Sequence, residues 1–88
     1  MIENENDALA KANEIQGEEI FEAAVRAEEI SSVLNLAVWY LPRKKPMLGG
    51  VNYFIASDST MFTLPVVKMT DEANTDMITA AYTKAKTE

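Results

Sequence analysis

Between Leu41 and Val51 the chain reads PRKKPMLGG, and this stretch divides everything the sequence can fold into. Pro42 and Pro46 lack a backbone donor and fix their own φ, and Gly49–Gly50 favours turns, so neither a helix nor a strand runs through residues 42–50. The fold must therefore be assembled from a front segment ending near residue 41 and a back segment starting near residue 51. With 88 residues in total, both halves belong to one small domain with a thin core. The first six residues read as a flexible start because the four after Ile2 are all polar.

The front segment carries apolar side chains at Leu9, Ala12 and Ile15, and after Gly17 at Ile20, Ala24, Ala27, Ile30, Leu34, Ala37 and Leu41. Steps of three and four predict an amphipathic helix, started by Asn6 or Asp7 and reaching about residue 40, with a break or kink near Gly17 or Ser31. Unbroken from Ile20 to Leu41, it would be about 33 Å long at ~1.5 Å per residue, more than so small a body needs. The stretch VLNLAVWYL, residues 33–41, is also rich in strand formers, and a third strand over residues 36–41 is the alternative.

The back segment is easier to read. Val51, Tyr53 and Ile55 alternate on one face, and Phe62, Leu64 and Val66 can join them across a hairpin from about residue 51 to 68, turned by the polar SDST. Pro65 cannot donate to a ladder and marks the second strand as an edge. Phe54 and Val67 face the other way, so either the sheet is covered on both sides or these two side chains meet a second chain. Thr70 caps a final helix, with Asp71 and Glu72 in its first turn and Lys84 and Lys86 in its last, matching the helix dipole. Its apolar stripe is Ala73, Met77, Ile78, Ala81 and Tyr82. The expected class is α+β: an N-terminal helical segment, an antiparallel β-hairpin with three strands as the alternative, and a C-terminal helix.

Absent residue types narrow the chemistry. The chain has no cysteine and no histidine, which removes disulfides, thiolate metal sites, the cysteine nucleophile and the usual general base. Its serines lack a glycine elbow, Gly49–Gly50 lacks phosphate-loop spacing, and SDST lacks the alternating oxygens of a calcium loop. The reading is a non-enzyme with no cofactor and no metal site. The acidic N-terminus does not resemble a signal peptide, and no apolar run approaches the ~20 residues of a membrane helix, so a cytoplasmic protein without membrane contact is expected.

Charge supplies the functional expectation. Residues 1–30 hold nine carboxylates against Lys11 and Arg26, a net of −7, whereas the whole chain is at −6. On the predicted helix Glu14, Glu18 and Glu22 recur every four residues, with Glu29 on the same polar face and Arg26 interrupting. Such a row could occupy a basic, nucleic-acid-binding partner. The bland alternative, a solvated helix face, carries the greater weight. In size and acidity the chain is like small phage or bacterial inhibitor proteins, a similarity of type without a shared motif. The reading adopted is a non-catalytic protein-binding module, an acidic inhibitor or adaptor using Glu14, Glu18, Glu22 and Glu29. A homo-oligomeric assembly subunit, a homodimer at its simplest, is the alternative, with apolar contacts at Ile20, Phe21, Phe54 and Val67. The third is weak nucleic-acid binding through Arg43, Lys44 and Lys45, disfavoured because three adjacent cations neutralise few phosphates.

Overall fold

A computed structural model describes residues 2–44, 51–65 and 71–87. The architecture is α+β, with elements in the order α1 (Glu5–Gln16), β1 (Val25–Arg26), α2 (Glu28–Leu34), β2 (Val38–Leu41), β3 (Val51–Ala56), β4 (Met61–Pro65) and α3 (Asp71–Thr87). The four strands form one antiparallel sheet in sequence order, β1-β2-β3-β4. The Cα radius of gyration is 12.3 Å.

Side chains alternate across each strand, and both sets are covered. Trp39, Leu41 and Ile55 lie on one face with Ile2, Ala8, Ala12, Phe21 and Ala24. Val38, Phe54, Ala56, Phe62 and Leu64 lie on the other, where α2 and Ile78 of α3 close over them. The two-sided cover settles the position of Phe54. It is 7% exposed and stacks on Phe62 at 5.6 Å, so it is a core residue and not a contact for a second chain. Val67 lies outside the described residues, as do Lys45 and Thr70.

The continuous helix expected up to residue 40 is not formed. Gly17, at φ 77°, ends α1, and Asn35, at φ 55°, ends α2. Both adopt the left-handed backbone that glycine takes freely and asparagine tolerates better than most residues. The run VWYL then becomes β2, a central strand buried on both faces, and Pro42 follows a strand, not a helix. A strand of that kind reads as an unbroken apolar run, which is why its residues also satisfied a helical spacing.

The hairpin forms with β3 and β4 in the register Ile55↔Met61 to Val51↔Pro65. Its turn places Ser59 at φ 71° and lets Asp58 Oδ1 accept the Thr60 N–H at 2.9 Å. Asn4, not Asn6 or Asp7, caps α1, accepting the Asp7 N–H at 2.9 Å. Ile2 is 7% exposed and its N–H donates to the Ser57 carbonyl at 2.9 Å, so the polar first residues hide an apolar anchor.

One buried hydroxyl joins α2 to the sheet. Ser31 Oγ accepts the Val38 N–H at 2.9 Å and lies 2.7 Å from the Ala27 carbonyl, to which it donates. Arg26 Nε also donates to it at 3.2 Å. Ser31 is therefore satisfied at 7% exposure, in keeping with the cost of leaving a buried polar group unpaired.

Candidate functional site

The acidic segment and the basic loop turn out to be neighbours. After Gly17 the chain reverses and runs beside the residues that follow β2. Glu22 N–H donates to the Pro42 carbonyl at 2.8 Å, and Lys44 N–H donates to the Ile20 carbonyl at 2.9 Å. These bonds flank a bridge between Phe21 and Arg43. They make Phe21 and Arg43 a pair whose own backbone groups point away from each other. The outward N–H of Phe21 is met by Asn13 Oδ1 of α1 at 3.3 Å, which blunts the sheet edge at that point.

The register then slips. Phe21 opposes Arg43, but Val25 opposes Tyr40. One extra residue lies on the acidic side, the mark of a β-bulge within residues 22–24. A slip of one residue exchanges the two faces of a strand. Phe21 and Ala24, at odd and even positions, consequently both enter the core, while Val25 is left 53% exposed.

Glu14, Glu18, Glu22 and Glu29 are all exposed, as are Glu19 and Glu28. They do not form the expected row at helical pitch. Glu14 lies in the last turn of α1, Glu18 in the bend after Gly17 and Glu22 beyond it beside Pro42, and Glu29 stands in the first turn of α2. Arg26, which would have interrupted that row on a helix, lies in β1 for the same reason. Arg26 instead lies 3.5 Å from Glu28 and 5.8 Å from the centre of the Trp39 ring. Lys11 lies 3.6 Å from Glu14.

Of the expected basic contacts, Lys44 is exposed and Arg43 is half-buried, its guanidinium 5.5 Å from the centre of the Tyr53 ring. Glu19, Ile20, Arg43 and Lys44 line a shallow depression of about 250 Å³. A carboxylate thus stands in the surroundings of the cations. The expected apolar contacts do not form a surface: Phe21 is 1% exposed, and Ile20 is half-buried against the same core. Tyr53 meets Phe21 edge-on at 5.4 Å, so the ring beside the Arg43 guanidinium is committed to packing.

A second polar cluster was not foreseen. The Tyr82 hydroxyl of α3 donates to Asp58 in the β3–β4 turn, and Lys86 Nζ lies 3.7 Å from the same carboxylate and 5.6 Å from the centre of the Tyr82 ring. Partial burial pushes the Asp58 carboxyl up, but hydrogen bonds from Tyr82 and Thr60, with the charge of Lys86, outweigh it and hold the group below its ordinary range. The bond to Asp58, followed by burial, raises the Tyr82 phenol. The hydrogen bond with Tyr82 likewise raises Lys86. Tyr82 and Lys86 have i,i+4 spacing, but nothing local ties them to Asp58, which lies 24 residues before Tyr82.

Among the described residues no group of three or more carboxylates is arranged to hold a metal ion, and no helix is long and apolar enough to cross a membrane. No family model matches this chain, and neither a curated protein nor a solved structure matches it.

Proposed function

We propose that the protein is a non-catalytic binding module that presents the acidic surface between α1 and α2 to a basic protein partner. The observation that carries this reading is the exposure of six glutamates, Glu14, Glu18, Glu19, Glu22, Glu28 and Glu29, within one stretch that folds along the β1 edge of the sheet. Two of them have a cation within ion-pair distance, Lys11 at Glu14 and Arg26 at Glu28. Exposed carboxylates in such number steer a basic partner into encounter and are screened beyond about 8–10 Å at ordinary ionic strength. The acidic inhibitor or adaptor role is the form of this proposal that the charge distribution favours.

Binding of nucleic acid through Arg43, Lys44 and Lys45 is less well supported. Arg43 is engaged with Tyr53, and Glu19 stands beside Lys44 in the same depression. Phosphates approaching that segment would meet the glutamates that run alongside it.

The test is capture of a basic partner on the immobilised protein, with elution by a salt gradient. The partner should elute at moderate salt, and the variant with Glu14, Glu18, Glu22 and Glu29 all changed to Gln should keep its circular dichroism and lose the partner. Capture that survives the four substitutions, or that ignores salt, would reject the acidic surface as the contact.

A further inference from the structure

Among the described residues, the end of the sheet opposite the acidic segment also has an edge with no strand beside it. β4 pairs with β3 on one side, and among the described residues no strand pairs with its other side. The Ala56 N–H donates to the Thr60 carbonyl at 2.8 Å. Bonded and non-bonded pairs alternate along an antiparallel ladder. Counting from Ala56–Thr60 in the observed register, Phe62 and Leu64 direct their backbone groups to β3, and Met61, Thr63 and Pro65 direct theirs outward. Thr63 is exposed, Met61 is half-buried, and the strand has no charged residue. Edge strands that avoid pairing commonly carry charge or a bulge, and this one has only Pro65.

We infer that this edge pairs with the β4 edge of a second copy of the chain, antiparallel and about a two-fold axis at Phe62. In that register Met61 of each copy opposes Thr63 of the other, and both N–H and C=O groups of both residues find partners. A register centred one residue later, on Thr63, would set Pro65 against Met61 and forfeit the bond that proline cannot donate. Pro65 thus selects the pairing, and a two-fold pairing closes on itself without extending into a fibre.

Charge selects the same end of the sheet. β1 lies three strand spacings away, about 14 Å at ~4.8 Å per spacing. Joining two copies at β1 would bring Glu22, Glu28 and Glu29 of both together, and Asn13 already occupies the outward N–H of Phe21 there. Joining them at β4 holds the two acidic segments at the far ends of an eight-stranded sheet. A shallow groove of about 340 Å³ lined by Met61, Thr63, Ala81 and Ala85, together with Phe62 and Lys84, borders the edge. Its small alanines leave room for the neighbouring copy. The inference is independent of what the acidic surface binds.

The experiment is light scattering on the full chain over a range of concentration, with amide hydrogen exchange followed residue by residue. The mass should double as concentration rises, and the Met61 and Thr63 amides should slow by at least about tenfold in step with it. Thr63→Pro removes an outward N–H without touching the β3 ladder, and Thr63→Lys places like charges across the axis through an exposed side chain. Both should be monomers, and if the proline variant fails to fold the lysine variant decides. A single monomeric mass throughout would overturn the inference. So would a dimer whose Met61 and Thr63 amides still exchange freely, or one that survives Thr63→Lys.

Discussion

The hydroxyl of Tyr82 and the carboxylate of Asp58 join the C-terminal half of α3 to the turn between β3 and β4. The ring of Tyr82 also meets Phe62 edge-on at 6.0 Å, so one side chain both packs on the second core face and holds the turn. Tyr82→Phe keeps the ring and deletes the bond. It should lower stability by about 1 kcal/mol, read as a shift in the urea midpoint at unchanged slope. Asp58→Ala should cost more, because the Thr60 N–H loses its acceptor as well.

Linkage at this cluster has a definite sign. Asp58 has a folded pKa below its ordinary value of 3.8, so it contributes stability that is present above that value and lost as pH falls through the lower folded pKa. Tyr82 is shifted upward from 10.0, so its contribution is present below that value and lost as pH rises through the higher folded pKa. Denaturant midpoints measured against pH should therefore fall at both extremes. Asp58→Asn should flatten the acid limb, and Tyr82→Phe the alkaline one. An unchanged acid limb in Asp58→Asn would show that other carboxylates govern acid unfolding.

Gly17 offers a separate test of the front half. A Cβ added there would meet nothing within 4 Å, yet its φ is 77°. The cost of Gly17→Ala is thus purely conformational, about 1 kcal/mol, and Gly17→Asn should cost less. Equal losses for the two variants in thermal unfolding would point to a packing cause instead.

Ser31→Ala should be the most damaging small change in the front half. It leaves the Val38 N–H without its acceptor beneath α2, for a loss of about 1–3 kcal/mol. Amide exchange at Val38 should accelerate along with the loss. If Val38 stays protected, its N–H has found another acceptor.

The back half was legible because its signals agree. Alternation, the SDST turn, Pro65 at an edge and the charge arrangement of α3 each point to the element that forms. The hairpin register, however, pairs Phe62 with Phe54, so Phe62 and Leu64 share the face of Phe54 and do not join Tyr53 and Ile55 as expected. The front half was not, because residues 20–41 satisfy two periods at once. Helical spacing there arises from α2 at its centre, from β2 buried on both faces, and from a bulged segment in which Phe21 and Ala24 both turn inward. No local feature announces a bulge, since it is defined only by the partner strand. Glutamates 14, 18, 22 and 29 were recognisable as exposed from their charge alone. Their arrangement depended on Gly17 reversing the chain, and the pairing of residues 20–22 with 42–44 is a long-range contact no spacing encodes.

Trp39 is the sole tryptophan of the chain, and at 2% exposure it belongs wholly to the face covered by α1. Tyr82 belongs to the opposite face. Nature has thereby placed a separate optical probe on each side of one sheet. Tryptophan emission follows the α1 side alone, and the part of the tyrosine absorbance that Tyr82→Phe removes follows the α3 side, since Tyr53 packs on the α1 side. Were the two signals to part company during unfolding, the sheet would be losing one of its coverings before the other.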